Sequence, residues 1–255
     1  MELTEQKRVS LLIVATSKYT QFLPALLESA EKYFLKGHRV TYQVFTDKPK
    51  EVAEMFPNIL KDNFSVETPN LKIHKVEHKP WPHSTLKRFH FFRSNLGKML
   101  GTDFFVYVDV DCIFKAPIED EILGERVAVS HCGYQEGWGF PYERNQLSTA
   151  YVAPHEGTQY FGGGFWGFSF DEFCKAINVI TEAIDTDERN GVLAQWHDES
   201  HANRYFIDNP PTTVLSPSYH WPENNPHIWK KWERLGLSFE CKILLLDKKH
   251  DEIRK

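Results

Sequence analysis

The sequence predicts an α/β protein built on a largely parallel sheet with helices on its faces. Two continuous apolar runs, residues 9–15 and 104–108, are typical of strands that are buried on both sides. Between the first run and the next strand, apolar residues recur at helical spacing. A strand–helix–strand opening is the unit from which parallel sheets are built, so these observations together indicate the fold class.

The first elements follow in order along the chain. The strand at 9–15 ends in the polar turn Thr16-Ser17, and Gly37 is a plausible stop for the helix that follows. A second strand is predicted at 40–46, and residues 47–72 read as irregular, with weak helical or strand character. The apolar face of the first helix consists of Phe22, Leu23, Leu26, Leu27, Ala30 and Phe34.

The middle of the chain predicts a short strand at 73–76, a helix, and then the buried strand 104–108. Ser84 or Thr85 is a suitable N-cap for that helix. A further strand is predicted at 127–130 and a long functional loop at 132–160. The apolar face of the helix consists of Leu86, Phe89, Phe92, Leu96 and Met99.

The last third predicts helices at 171–184 and 198–206, and a late strand that ends at 214–217. No linker divides the chain, so one α/β domain over residues 1–255 is expected. The net charge of −5 offers no electrostatic footprint for nucleic acid. The four cysteines form no metal motif, and the apolar run 9–15 is too short to cross a bilayer. A soluble, cytoplasmic protein with reduced thiols is therefore expected.

Asp109 and Asp111 follow directly after the buried strand 104–108. Residues i and i+2 of an extended segment point to the same side, and two carboxylates there repel each other unless a cation joins them. Mg²⁺ and Mn²⁺ accept carboxylate and phosphate oxygens together, and ligands of open α/β sheets bind beyond the carboxyl ends of strands. The pair predicts a divalent cation site; acidic turn residues are the alternative.

Three other features admit both a functional and an ordinary interpretation. Arg88 begins a helix, where its guanidinium either holds an acidic side chain or phosphate, or is a solvated surface charge, which the residue alone favours. The run Gly162-Gly163-Gly164 allows close backbone approach to a ligand, or forms a turn, and it matches neither a P-loop nor a dinucleotide fingerprint. The basic C-terminal tail is either frayed or a lid that folds over a diphosphate.

Residues 196–206, which read Trp-His-Asp-Glu-Ser-His-Ala-Asn-Arg-Tyr-Phe, combine ionisable side chains with aromatic rings. That combination is typical of a pocket that grips a polar ligand. The glutamate falls one position too late for a His-Glu-X-X-His zinc site, and no nucleophile-elbow glycines surround Ser200. A zinc protease and a serine hydrolase are therefore disfavoured.

Taken together, these residues resemble glycosyltransferase family 6, the family of the ABO histo-blood-group transferases and the α-1,3-galactosyltransferases. The resemblance covers nearly the whole chain. It is carried by Phe34-Leu-Lys-Gly-His-Arg-Val40, Val44-Phe-Thr-Asp47, Val108-Asp-Val-Asp111, Tyr142-Glu-Arg144, Ser148-Thr-Ala-Tyr-Val152, Trp196-His-Asp-Glu-Ser-His201 and Val214-Leu-Ser-Pro217.

The resemblance implies a GT-A fold, with a Rossmann-like mixed sheet flanked by helices. It implies retaining transfer of GalNAc or Gal from a uridine diphosphate (UDP) sugar to the 3-hydroxyl of a galactoside, in α-1,3 linkage, with Mn²⁺ or Mg²⁺. Residues 1–125 would mainly bind the nucleotide sugar, residues 126–243 would bind the acceptor and carry catalysis, and residues 244–255 would close over the diphosphate.

The resemblance also implies roles for individual positions. Glu199 occupies the position of the candidate nucleophile, Asp109 and Asp111 bind the metal, and His131 and Trp196 contact the acceptor. Lys248 and Arg254 would close on the diphosphate, where they and the metal stabilise the departing UDP. The donor would be bound by Val14, Ala15, Thr16, Tyr19, Arg88, Val110, Gly162, Gly163, Gly164, His197, Asp198, Lys248 and Arg254.

Donor choice and acceptor choice are less constrained. Gly162 and Gly164 stand at the two positions by which the family sorts Gal from GalNAc, and small residues leave room for an N-acetyl group, which favours UDP-GalNAc. The sequence His220-Trp-Pro-Glu223 departs from the animal pattern at an acceptor-contacting position. No anchor or stem is evident, which favours a bacterial or phage origin. The alternatives are a UDP-sugar hydrolase and an inactive carbohydrate-binding relative.

Overall fold

The computed structural model describes residues 5–57, 70–248 and 253. Its main sheet has seven strands in the order β3-β2-β1-β4-β7-β6-β8, and a second sheet has the order β5-β10-β9. The strands are β1 (Arg8–Val14), β2 (Arg39–Thr46), β3 (Asn70–Lys75), β4 (Phe104–Val108), β5 (Cys112–Phe114), β6 (Arg126–Ser130), β7 (Phe161–Ser169), β8 (Thr213–Leu215), β9 (Trp221–Pro222) and β10 (Ile243–Leu245).

Helices cover the main sheet. They are α1 (Leu23–Tyr33), α2 (Pro49–Met55), α3 (His83–Leu86), α4 (Arg88–Asn95), α5 (Phe170–Arg189), α6 (His197–Asp208) and α7 (Pro226–Arg234). Along β1, Leu11 and Ile13 face the core that contains α1, whereas Leu12 faces the core that contains α4 and α5. A strand covered on both faces needs apolar side chains on both, which explains why β1 and β4 lack alternation.

The sheet is mixed. Strand β1 pairs in parallel with β2 and β4, and β2 pairs in parallel with β3. Strand β7 is antiparallel to both β4 and β6. This arrangement confirms the predicted α/β class with a Rossmann-like mixed sheet, and it brings the start of β7 beside the carboxyl end of β4.

Several boundaries differ from the prediction. Residues 49–55, within the segment expected to be irregular, form α2, and β3 begins at Asn70 rather than at residue 73. The helix expected over 84–99 is divided into α3, α4 and a 3-10 turn at Leu96–Lys98. Elements β5, β9 and β10 were not predicted, because each strand has only two or three residues, and α7, in which Trp232 is the buried residue, was not predicted either.

Gly162, Gly163 and Gly164 lie inside strand β7, so the interpretation of this run as a turn was wrong. Glycine is unfavourable in strand interiors unless another group approaches the backbone closely. None of the helices in the described part of the chain is long and apolar enough to cross a membrane.

Candidate active site

The two strand-end aspartates face one cavity. Asp109 follows the last residue of β4, and Asp111 precedes β5. The cavity has a volume of about 150 Å³ and lies at the carboxyl end of β1 and β4, where an open α/β sheet binds its ligands. It is lined by Val14, Thr16, Tyr19, Ser84, Thr85, Arg88, Tyr107, Asp109, Val110, Asp111 and Lys248.

Asp109 is held by hydrogen bonds to three elements. The Tyr107 hydroxyl donates to its Oδ1 at 2.5 Å, and Arg88 Nη1 donates to the same oxygen at 3.2 Å. Its backbone N–H donates to the Gly164 carbonyl at 2.8 Å, which ties it to β7. Burial opposes ionisation, but the charges of Arg88 and Lys248 outweigh it, so the pKa of Asp109 lies below its ordinary value.

Asp111 is buried, and its Oδ2 contacts the ammonium of Lys248. Burial and the negative charge of Asp109 raise the pKa of Asp111, although Lys248 opposes the shift. The two aspartates therefore repel each other, and Lys248 stands where additional positive charge is stabilising.

These residues fit a divalent cation only if a bound ligand supplies some of the coordinating oxygens. Across residues 5–57 and 70–248, no three His, Cys, Asp or Glu side chains are grouped to hold a metal. Two carboxylates, which are hard oxygen donors, suit Mg²⁺ or Mn²⁺ when a ligand such as a diphosphate supplies further oxygens. The structure thus matches the donor chemistry of the predicted site without identifying a metal.

Arg88 is not a solvated surface charge, and that interpretation was wrong. Only 7% of the residue is exposed. Its Nε lies 2.6 Å from Asp198 Oδ2, its Nη1 also donates to the Gly163 carbonyl at 3.1 Å, and its guanidinium lies 4.6 Å from the Tyr107 ring centroid. A fork of donors at the first turn of α4 therefore joins α6, β7 and the end of β4.

Burial is the dominant influence on the titration of this cluster. It raises the pKa of Asp198 to about 7, with Arg88 opposing the shift and the charges of Asp109 and Glu199 adding to it. Burial also disfavours the charged form of Arg88, but the neighbouring carboxylates outweigh burial and raise its pKa. Arg88 thus stays charged at every pH at which the protein is folded.

Glu199 is held by two neutral donors. The Tyr160 hydroxyl donates to Oε1 at 2.7 Å, and the Gly163 N–H donates to Oε2 at 2.7 Å. Burial raises the pKa of Glu199, while both hydrogen bonds favour the charged form. Its carboxylate is therefore fixed in position at the middle of the glycine run.

Asn203 positions Glu199, and sequence reasoning missed it. Its Oδ1 accepts from the Phe161 N–H, and its Nδ2 donates to the Phe161 carbonyl, each at 2.9 Å. Because Asn203 lies four residues after Glu199, both project from one face of α6 onto β7. An amide at that spacing within a polar helix segment was the available signal.

Each glycine of the run faces a polar side chain. A Cβ added to Gly163 would lie 3.1 Å from Glu199 Oε2, and one added to Gly164 would lie 3.0 Å from Asp109 Oδ2. A Cβ on Gly162 would lie 2.9 Å from Cε1 of His220. The close approach to the glycine backbone that was expected of a ligand is thus made by the protein's own side chains. The space that the small residues were expected to leave for an N-acetyl group is occupied by the His220 ring.

The predicted acceptor residues lie near Glu199, since His131 packs on Tyr160 and the Glu199 N–H donates to the Trp196 carbonyl at 3.0 Å. The His131 ring centroid is 5.8 Å from that of Tyr160 and 5.5 Å from that of His220. Trp196 precedes α6 and is 46% exposed, and the His197 ring meets Trp81 edge-on at 5.1 Å. Exposed aromatic rings beside a fixed carboxylate suit a carbohydrate ligand.

Ala15, a predicted donor residue, does not line the cavity beside the aspartates. Ala15 is fully buried between β1 and β2, where its N–H donates to the Phe45 carbonyl at 2.9 Å. Arg254 lies outside the described residues. A larger cavity, of about 590 Å³, opens at the opposite ends of β1 and β2, but the acidic cluster lies at the smaller one.

Comparison with known proteins agrees with this chemistry. The sequence model of Glycosyltransferase family 6 matches residues 2–254. Globoside alpha-1,3-N-acetylgalactosaminyltransferase 1 of Homo sapiens is 35% identical over 224 residues, which cover 86% of this chain and 62% of that protein. Histo-blood group ABO system transferase 1 of Rattus norvegicus is 34% identical over 234 residues, covering 88% and 64%.

A bacterial relative matches over more of its own length. O-antigen biosynthesis glycosyltransferase WbnI of Escherichia coli is 24% identical over 247 residues, which cover 95% of this chain and 96% of that protein. The chain therefore spans less than two thirds of those two mammalian relatives and nearly all of the bacterial one.

Proposed function

The chain belongs to glycosyltransferase family 6, and from that premise we propose that it is a retaining, metal-dependent hexosyltransferase. It transfers GalNAc or Gal from the UDP-sugar to the 3-hydroxyl of a galactoside, in α-1,3 linkage. The observation that carries the proposal is the pairing of two acidic groups across β7: Asp109 and Asp111 beside Lys248, and Glu199 anchored at Gly163.

Departure of UDP leaves negative charge on the diphosphate. Asp109 and Asp111 would hold Mn²⁺ or Mg²⁺, which when bound supplies positive charge to the diphosphate oxygens. Lys248, which now contacts Asp111, adds a second positive charge from the chain itself. Arg88 keeps Asp109 ionised and oriented.

Positive charge develops on the anomeric carbon of the sugar as UDP departs. Glu199 is an anion whose two oxygens are already fixed by Tyr160 and Gly163, so it needs no reorganisation to stabilise that charge or to attack the carbon. Attack would form a covalent glycosyl–enzyme bond as the bond to UDP breaks, and the acceptor would displace Glu199 in a second step. If Glu199 only stabilises the charge and forms no bond, the acceptor would attack from the same face of the sugar that UDP leaves.

The remaining predicted contacts complete the site. We assign His131 and Trp196 to the acceptor, since the His131 ring packs on Tyr160, which holds Glu199, and Trp196 is exposed just before α6. We assign Val14, Thr16, Tyr19 and Val110, which line the cavity next to the aspartates, to the nucleotide. Ala15 would contribute through its backbone.

A donor screen tests the proposal. UDP-Gal, UDP-GalNAc, UDP-Glc and UDP-GlcNAc are each incubated with lactose or a fucosylated galactoside, with Mn²⁺ or with excess chelator, and UDP release and glycan product are measured. We expect turnover with a galactose-configured donor that rises with acceptor and fails in chelator. Acceptor-independent UDP release would make the protein a UDP-sugar hydrolase, and binding without turnover would make it a carbohydrate-binding relative.

A further inference from the structure

The space above Gly162 and Gly164 is filled by the imidazole of His220. A Cβ at Gly162 would lie 2.9 Å from His220 Cε1, which is closer than real Cβ atoms approach, and a Cβ at Gly164 would lie 3.1 Å from His220 Nε2. Alternate residues of a strand point to the same face, so one ring covers both positions. The two glycines and His220 therefore form one packing unit.

The ring is held by packing rather than by hydrogen bonds. His220 is 8% exposed, and its ring contacts that of His131. Its backbone N–H donates to the Pro217 carbonyl at 3.0 Å. Its Nδ1 is buried and has no hydrogen-bond partner among the described residues. A buried N–H without a partner is costly, so the hydrogen belongs on Nε2, the nitrogen that faces Gly164.

His220 stands between the groups that would handle the two ends of the reacting bond. Gly163 contacts Glu199, which would face the anomeric carbon, and Gly164 faces Asp109, which would face the diphosphate. Atom C2 of a hexose is bonded directly to the anomeric carbon, so the substituent on C2 lies two bonds from it. Gal and GalNAc differ only there, in a hydroxyl against a larger acetamido group.

We propose that His220 sets the choice of donor sugar, as a wall against which the C2 substituent of the hexose packs. This inference rests on the proposed transferase function. The pocket is narrower than three glycines suggest, and the wall comes from the segment after β8 rather than from β7 itself. Removal of the ring opens space for an acetamido group and leaves a hydroxyl with nothing to pack against.

The test compares wild type with His220→Ala. The affinities of UDP-Gal and UDP-GalNAc are measured by calorimetry with Mn²⁺, and kcat/KM is measured for each donor with lactose. We expect the ratio of UDP-GalNAc to UDP-Gal, in affinity and in kcat/KM, to rise at least about tenfold in the variant. An unchanged ratio, or one that falls because the ring instead donates to the amide carbonyl, would overturn the proposal.

A second pair of variants separates packing from folding failure. Gly162→Ala should lower the Tm in the wild-type background, since its methyl group collides with the ring, and should be tolerated in the His220→Ala background. Equal loss in both backgrounds would contradict the packing unit. If neither donor is turned over by the wild type but the affinity ratio still shifts in His220→Ala, the donor wall stands and the transferase function fails.

Discussion

Two groups of carboxylates differ in the charge of their partners: Asp109, Asp111 and Asp198 form one group, and Glu199, at the glycine run, forms the other. Asp109, Asp111 and Asp198 each contact a permanent cation, either Arg88 or Lys248. Glu199 contacts only neutral donors, the Tyr160 hydroxyl and the Gly163 N–H, in its direct hydrogen bonds. The aspartates can exchange one cationic partner for another. The negative charge of Glu199 has no cationic partner in direct contact and can therefore stabilise the positive charge that develops on the anomeric carbon.

Loss of the Glu199 charge should have the largest effect. Glu199→Gln keeps the shape of the side chain but removes the anion opposite the anomeric carbon, so kcat should fall by about 10³-fold or more. Steady-state rates, with Tm and UDP affinity as checks on folding, measure this. The control is Glu121→Gln, another carboxylate that accepts from a tyrosine hydroxyl, Tyr219, at 2.6 Å; its kcat should stay near that of wild type. A Glu199→Gln enzyme with a tenth of wild-type turnover would remove the contrast.

Loss of the Arg88 charge should act on stability. Arg88→Met leaves the buried Asp198 without its partner, which should lower the free energy of unfolding by about 3 kcal/mol. Urea unfolding measures the change. The double variant Arg88→Met/Asp198→Asn should recover part of the loss, because it removes the buried carboxyl group that has lost its partner. A loss below about 1 kcal/mol in the single variant would show that the ion pair is not what holds α4 to α6.

Replacement of Asp111 should separate the contribution of the metal to UDP binding from that of Lys248. Asp111→Asn should weaken UDP binding in Mn²⁺ by about tenfold to a hundredfold, and should leave UDP binding in chelator almost unchanged. Calorimetry with and without Mn²⁺ gives both values. Lys248→Ala is the matched comparison: it should weaken UDP binding under both conditions. Equal behaviour of the two variants would mean that Asp111 serves only as the partner of Lys248.

The contribution of His220 to the stability of the folded state should fall in acid. Burial lowers the pKa of His220 to about 4, below its ordinary value near 6.5. The folded state therefore binds fewer protons than the unfolded state, and the stability from this residue is lost as pH falls from about 6.5 towards 4. At pH 5 the loss should be about 2 kcal/mol relative to pH 7.

Unfolding of wild type and of His220→Asn at both pH values gives the measurement. The difference in unfolding free energy between the two proteins should shift in favour of the variant at pH 5. If the two proteins lose the same stability between pH 7 and pH 5, His220 does not titrate as a buried neutral imidazole.

Strand–helix alternation and the strand ends were readable from the chain, because local pattern sets them. Continuous apolar runs marked β1 and β4, and the change from Val108 to Asp109 marked a carboxyl end. The short pieces β9 and β10 and the split between α3 and α4 were not readable. They form because neighbouring segments supply their partners, which no local pattern records.

The site divides in the same manner. Asp109 and Asp111 were predicted from their residue type and their place after a buried strand, and the role of Glu199 was predicted from the family resemblance, within a polar stretch framed by aromatic residues. For Arg88, the residue alone favoured a solvated charge, because a lone arginine at a helix start has no local partner. Its partner Asp198 is more than a hundred residues away, and only folding shows the pair.

By itself the sequence determined the fold class and the acidic end of the central strand. Those features depend on hydrophobic periodicity and on the chemistry of adjacent residues. The tertiary structure decided which charges cancel and which do not, and it placed an imidazole over a run of glycines. Both outcomes depend on distances between residues far apart in the chain, because burial and Coulomb energies arise only once packing has removed water and brought the groups together.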